Sequence, residues 1–338
     1  MLKRSKIYML VLAGLLALIG QNTCLAADKK SPEKFELAGE KKESANGKAL
    51  AKSDIAEEER LKEAAFVKYN QMMMVATERF KNGDLAEARK VANELIAGAD
   101  EFTDTDKTEY KTFYSQIEKE LYVHKNANSG KDVVWVDARF ADGYYFLSVL
   151  DFQEGKYSSS IDNMQKCICW NPMHSAYFCE RGYIYLNAQE SGSLVSAQIA
   201  YEKALELADN EEDFAAALRG LAFVMTEKSD FNTAIACLVL SKEFDPENPT
   251  TDEQITYIRG NYPFMTSDMK VDEARKALKE KGIQTTYSHQ HVEVLLKMAS
   301  GYNLSVPEEK ERAKLLLMHA RELEPQNKEV VEKFKAIK

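Results

Sequence analysis

The feature that most constrains the fold is a repeat in the middle of the chain. Small residues recur every 37 positions, at Cys167, Ala204 and Ser241, and prolines recur at twice that step, at Pro172 and Pro246. A unit of this length cannot cover its own apolar faces and must stack on its neighbours, so the fixed period indicates a solenoid. The 338 residues are therefore expected to form an array and not the two globular domains that this length would ordinarily suggest.

The repeating unit is predicted to be a helical hairpin. Beyond residue 55, apolar residues recur at spacings of three and four, and no long stretch alternates with a period of two. Turn residues such as Glu154-Gly155-Lys156 and Ser191-Gly192-Ser193 interrupt this pattern about once per helix length. The sequence also predicts one long helix that begins near Thr103 and ends near Asn126.

Superimposing the hairpins shows that large residues on the first helix and small and large residues on the second recur together. The matching residues are Tyr144, Leu147, Ser160 and Met164; Phe178, Gly182, Ala197 and Tyr201; Leu218, Leu221, Ala234 and Leu238; and Gly301, Leu304, Ala313 and Leu317. This pattern resembles the tetratricopeptide repeat, with Asp151 and Arg181 as departures from it. The clearest copies are residues 141–172, 175–211, 215–248 and 287–327. The resemblance implies an all-α fold, an α-α superhelix of antiparallel helical hairpins.

The first residues have the order of a secretory signal peptide. Three basic residues precede the apolar run Ile7–Ile19, and small residues follow up to Ala26 and Ala27. The apolar run is shorter than the ~20 residues that a membrane-spanning helix needs. We therefore predict cleavage after Ala26 or Ala27 and export to the periplasm, with the cell exterior as the alternative.

Composition divides the remainder of the chain. Residues 28–54 are rich in Lys, Glu and Ser and read as a flexible charged tether. Residues 55–130 keep the hairpin form but match the repeat weakly, so they are predicted to be a divergent N-terminal helical cap, followed by the repeat domain at 131–338. Removal of the signal peptide changes the formal net charge from −9 to −12. This acidic balance disfavours a nucleic-acid partner, since phosphate binding depends on Lys and Arg.

A partner is expected to bind where the first helices of a solenoid line its concave face. The first-helix residues that intra-hairpin packing does not use are Tyr145, Val149, Phe152, Tyr183, Leu186, Asn187, Arg219, Phe223 and Glu227. This mainly apolar set predicts a groove for an apolar or helical segment of a protein. Family members that grip a peptide carboxylate use Lys and Asn at such positions, whereas Arg219 is the only cation here.

The cysteines raise the main chemical question. Cys167 occupies a small-residue packing position, whereas Cys169 and Cys179 flank the turn at Pro172 and are candidates for a disulfide bridge. A metal at Cys167 and Cys169 would need further ligands, and His174 is the only candidate in that turn, so no metal site is predicted.

Other polar motifs do not indicate catalysis. His289 and His291 are interpreted as polar residues that cap a helix start. No phosphate-binding loop, zinc-protease motif or nucleophile elbow occurs in the chain. The sequence therefore predicts a non-enzymatic scaffold or adaptor of the cell envelope without a cofactor or a membrane segment after cleavage. The alternative is a structural envelope protein that assembles with itself.

Overall fold

The structure, a computed structural model, describes residues 68–262 and 268–337. The predicted signal peptide, tether and first part of the cap lie outside these residues. The chain divides into two compact units between Ala97 and Gly98. In the first unit, helix α1 (68–81) and helix α2 (Leu85–Leu95) are joined by a turn at Gly83, whose φ of 78° suits glycine.

The second unit opens with a small β-α-β segment after a 3-10 helix at Ala99–Glu101. Strand β1 (Thr108–Lys111) and strand β2 (Asp132–Trp135) pair in parallel, and helix α3 (Gln116–Lys125) connects them. A parallel pair needs such a crossover. The predicted long helix is therefore wrong.

The start of this segment is tied to the repeats. Thr112 N–H donates a hydrogen bond of 2.8 Å to the Trp170 carbonyl, and Phe140 packs against Trp170 with 4.9 Å between ring centroids. Residues 98–130 thus belong to the same compact unit as the repeats, which begins earlier in the chain than the expected domain boundary at 130/131.

Three antiparallel hairpins follow and stack on one another. They are formed by α4 (Arg139–Gln153) with α5 (Tyr157–Trp170), α6 (Ser175–Ala188) with α7 (Ser193–Leu207), and α8 (Glu211–Glu227) with α9 (Phe231–Phe244). The predicted copies 141–172, 175–211 and 215–248 fall on these hairpins, although α8 begins at Glu211, before the predicted third copy. The all-α helical-repeat fold is confirmed, with one short two-stranded sheet before it.

Small residues allow the helices of these hairpins to approach closely. In the first hairpin, the hydroxyls of Ser148 and Ser160 each donate a 2.8 Å hydrogen bond to the other residue's carbonyl. In the second, the Tyr201 ring lies against Gly182 of α6 and Gly220 of α8, and a Cβ atom at either glycine would come within 3.0 Å of the ring. Cys167 is fully buried in a packing position, whereas a reactive thiol is typically accessible to solvent.

The remaining helices are α10 (Pro249–Asn261), α11 (Val271–Glu280), α12 (His289–Ser300), α13 (Pro307–Leu323) and α14 (Lys328–Ala336). Helix α11 packs on α9, whereas α12 and α13 form a hairpin whose α12 contacts α3. The last predicted copy is thus a hairpin, but it does not have the predicted first-helix pattern. Gly301 is the C-cap of α12, and Leu304 lies beyond that helix with 49% of its surface exposed.

No helix within the described ranges is both long enough and apolar enough to cross a membrane.

Candidate functional site

The predicted groove residues divide into a buried part and a partly exposed part. Tyr145 and Val149 of α4 are only 8% and 4% exposed, so their expected placement on the groove surface is wrong. They are buried because the first helix of the next repeat covers this end of α4: the Tyr145 ring stacks on that of Tyr177, with centroids 5.6 Å apart. Val149 therefore presents almost no surface to a partner.

The partly exposed part contains the aromatic residues that lie farther along the first helices. The rings of Phe152 and Tyr183 come from neighbouring repeats and lie 5.2 Å apart. Leu186 and Phe223 are half-buried as well. We call Phe152, Tyr183, Leu186 and Phe223 the groove strip. It offers a partner apolar surface that three successive hairpins position.

The polar groove residues already have local partners. Asn187 donates a 2.8 Å hydrogen bond to the Tyr183 carbonyl, one turn earlier in the same helix. Arg219 forms an ion pair of 2.9 Å with Asp245 at the end of α9. The predicted cation is therefore held within the fold, while Glu227 is exposed. This arrangement leaves Glu227 as the residue that is free to meet a polar partner group at its end of the strip.

A buried hydrogen-bonded cluster lies at the amino-terminal ends of the first helices. Tyr114 lies just before α3. Its hydroxyl donates a hydrogen bond to the Asp142 carboxylate on α4 and accepts one from the Tyr177 hydroxyl on α6. One side chain from outside the repeats therefore connects two of them. Tyr114 was not among the predicted site residues, because nothing in its local sequence pattern indicates where the loop before α3 will lie.

A charged pair that is mostly covered reinforces the same junction. Glu118 on α3 accepts hydrogen bonds of 3.0 Å from His174 and Asn171, both in the turn between α5 and α6, and one of 2.7 Å from Tyr114 N–H. Burial alone would lower the pKa of His174, but the hydrogen bond and the charge of Glu118 outweigh it and raise that pKa. The pKa of Glu118 is lowered for the corresponding reason, although burial opposes the shift.

Two polar groups next to this cluster have no partner in the described part of the chain. The Tyr145 hydroxyl is buried without a hydrogen bond, and the Glu180 carboxylate of α6 forms neither a hydrogen bond nor an ion pair. Burial raises the pKa of Glu180 to about 8. It raises the pKa of Tyr145 well above its ordinary value, and Glu180 is the neighbouring charge that contributes most. In the sequence, Glu180 is the one acidic residue of α6, and Arg181 follows it directly.

All four cysteines in the described residues are free thiols, so the predicted Cys169–Cys179 bridge is not formed. The two side chains have different surroundings. Cys169 is exposed on the outer side of α5, where the Gln165 amide approaches its sulfur at 3.5 Å. Cys179 is partly covered, and burial beside Asp213 and Glu180 raises its pKa well above the ordinary value. This environment opposes formation of a reactive thiolate at Cys179.

Both histidines at the start of α12 were predicted to cap the helix, but their contacts in the structure are different. His289 is exposed and contacts Glu324 at 2.8 Å. His291 is buried, and its Nε2 lies 3.2 Å from the Leu207 carbonyl, so it packs against the repeats instead of capping α12. Within residues 68–262 and 268–337, no group of three or more His, Cys, Asp or Glu side chains is arranged to hold a metal ion.

No protein-family model matches the chain, and no curated protein sequence matches it. Among solved structures, the chain is similar to the C-terminal part of a TPR repeat-containing protein from Cytophaga hutchinsonii. The two share 15% sequence identity, the similarity covers 77% of this chain and 98% of that one, and the TM-score is 0.31. The fold described above rests on this chain's own helices and contacts.

Proposed function

We propose that the protein is a non-catalytic interaction scaffold or adaptor of the cell envelope whose groove binds an apolar or helical segment of a partner protein. The observation that carries this proposal is the groove strip. Its aromatic and aliphatic side chains come from three successive first helices and keep part of their surface exposed. Contiguous apolar surface of this kind is typical of partner sites.

Placement in the envelope is part of the proposal and depends on the signal-peptide pattern of the first residues. The groove chemistry supports an apolar partner segment and not a free carboxylate, because Arg219 is already paired with Asp245. A partner carboxylate would therefore have to compete with an internal ion pair for the only predicted cation.

The test is affinity capture from envelope extract with the purified protein, followed by titration of peptides from any captured partner. Tyr183→Ala and Phe223→Ala are expected to weaken binding about tenfold or more, since truncation of an aromatic anchor typically costs over 1 kcal/mol. Val195→Ala is the matched control, because Val195 is apolar and 55% exposed but lies on the second helix α7. Binding that survives both groove variants and is lost when the peptide's C-terminus is amidated would overturn the proposal.

A second candidate is self-assembly, and exposed apolar residues on α7 favour it. Val195 and Ile199 lie one turn apart and are 55% and 58% exposed, outside the groove. Light scattering at several protein concentrations separates the two functions. A mass that rises with concentration, and no longer does so in Val195→Ser with Ile199→Ser, would favour self-assembly. A constant mass would favour the adaptor.

A further inference from the structure

The two strands of the small sheet differ in how their outer edges are covered. On β1, Thr108 N–H donates a hydrogen bond of 2.9 Å to the Thr105 hydroxyl, and its carbonyl accepts one of 2.8 Å from Thr105 N–H. Tyr110 N–H donates a hydrogen bond of 2.8 Å to the Asp104 carboxylate. The loop before β1 therefore caps the outer edge of that strand and closes it to another strand.

The outer edge of β2 has no such cap within residues 68–262 and 268–337. Asp132 and Val136 each donate a backbone hydrogen bond of 2.8 Å to the chain at β1. Because backbone direction alternates along a strand, the N–H and carbonyl groups of Val133 and Trp135 point away from β1. None of these groups forms a hydrogen bond in the described part of the chain. Val134 and Trp135 are also 39% and 42% exposed, so this edge offers both backbone groups and apolar surface to another strand.

The residues along this edge determine which strand would fit. An antiparallel strand must place its own outward-facing residues opposite Val133 and Trp135. A second copy of β2 does so when Val133 faces Trp135 of the copy, and Val134 then lies opposite Val134 on the two-fold axis. In this register Lys131 faces Asp137 of the copy at both ends, which pairs opposite charges. A copy displaced by two residues would set Lys131 opposite Trp135 or opposite another base, so the charges select one register.

We propose that the outer edge of β2 pairs in antiparallel fashion with the same edge of a second copy of the chain, which gives a closed two-fold dimer. The half-exposed ring of Trp135 would gain Val133 of the copy as its cross-strand neighbour. Lys131 already contacts Glu109 at 3.3 Å, but an ammonium group has three donors and can also bond Asp137 of the copy. This interface uses neither the groove strip nor the exposed residues of α7, so it does not depend on the proposed adaptor function.

Sedimentation velocity of the purified full chain over a concentration series tests the dimer. We expect a monomer–dimer equilibrium that stops at two chains, because the outer edge of β1 is capped. Val133→Pro removes an outward N–H and places ring atoms on the edge, so it should abolish the dimer. Val133→Ala is the matched control, since it shortens the same side chain and keeps the N–H. Val195→Ser with Ile199→Ser should leave the dimer unchanged, which separates this interface from assembly through α7.

Two charge variants test the register and the identity of the partner. Lys131→Glu sets two carboxylates opposite each other in the dimer, and Asp137→Lys sets two ammonium groups opposite each other. Each variant alone should therefore self-associate about tenfold more weakly than wild type. An equimolar mixture restores opposite charges at both ends of the interface and should form a heterodimer, which native mass spectrometry identifies by its mass. Neither a segment of the same chain nor an unrelated strand would produce this recovery.

Three results would overturn the inference: a single-chain mass at every concentration, a Val133→Pro dimer as tight as the wild-type dimer, or no heterodimer in the mixture of charge variants. Circular dichroism confirms that each variant is folded, and the charge variants keep the test decisive if Val133→Pro does not fold. The outcome is separable from that of the adaptor proposal. A monomer whose groove still binds a captured peptide would refute the dimer alone, whereas a dimer without groove binding would refute the adaptor alone.

Discussion

The packing of Tyr201 between two glycines allows a quantitative test of the repeat architecture. A Cβ atom at Gly220 would lie 2.1 Å from Cε1 of the Tyr201 ring, and one at Gly182 would lie 2.8 Å from the other side of the ring. The ring is therefore confined from both sides and cannot move away from α8 without approaching α6. Gly220→Ala should force this contact open at the centre of the stack.

The expected magnitude follows from two opposing effects. Overpacking of a well-filled core typically costs about 1–3 kcal/mol, whereas replacing a helical glycine by alanine gains up to about 1 kcal/mol. The contact at Gly220 is shorter than any that real Cβ atoms make, so we place the net loss at about 1–2 kcal/mol. For a unit of this size that loss corresponds to a fall in Tm of about 2–8 °C.

Urea and thermal unfolding of the full chain measure the effect, with Gly260→Ala as the control. Gly260 is also helical, but a Cβ atom there would meet no atom within 4 Å, so its stability should stay constant or rise slightly. Tyr201→Leu combined with Gly220→Ala should cost less than the sum of the two single changes. If Gly220→Ala is as stable as Gly260→Ala, the reasoning about the confined ring is refuted.

Three further predictions concern buried polar groups and thiols. Glu180→Gln should leave the free energy of unfolding unchanged near pH 4.5 and raise it relative to wild type as the pH rises through about 8. The reason is that the raised pKa of Glu180 makes the wild-type protein lose stability over this pH range. Urea denaturation at several pH values measures this difference, and a difference that does not depend on pH would contradict the prediction. Glu118→Gln should lower the free energy of unfolding by about 1.5–3 kcal/mol near pH 5.5, where both partners are mostly charged in the folded and the unfolded chain, and the loss should shrink above the raised pKa of His174; an equal loss at pH 9 would show that charge is not the cause. Alkylation of denatured, unreduced protein should label both Cys169 and Cys179, since both are free thiols; a mass two hydrogens lower, without labelling, would establish the bridge instead.

The hairpins were predictable from the sequence because their packing rules are local and periodic. Small residues such as Ala204 and large ones such as Tyr201 recur at helical spacing wherever two antiparallel helices meet. The strand pair was not predicted, since parallel pairing depends on a partner that lies beyond an intervening helix. The β-branched and aromatic residues Thr108, Tyr110 and Val133–Trp135 were the local signal for it.

The groove was predicted in part. The rings of Phe152 and Tyr183, which the spacing along the first helices assigns to one face, lie 5.2 Å apart, and their role in binding a partner stays a prediction. The same spacing could not show that Tyr145 would be covered by Tyr177, or that Glu180 would lack a partner. These properties arise from the stacking of neighbouring repeats and from the loop that brings in Tyr114, neither of which is encoded in a single helix.

The contact between α3 and α12 has a consequence for how the chain reaches this fold. Ile117 packs on the apolar cluster of the last hairpin, and His124 lies 3.7 Å from Glu293. An open repeat array can nucleate at any unit and grow through neighbour contacts alone. Here, closing the distance from α3 to α12 requires ordering most of the intervening chain, and contacts of such high sequence separation slow folding. The last hairpin is therefore not a detachable end unit: its removal would expose α3 and break the cooperative unfolding of the whole second unit.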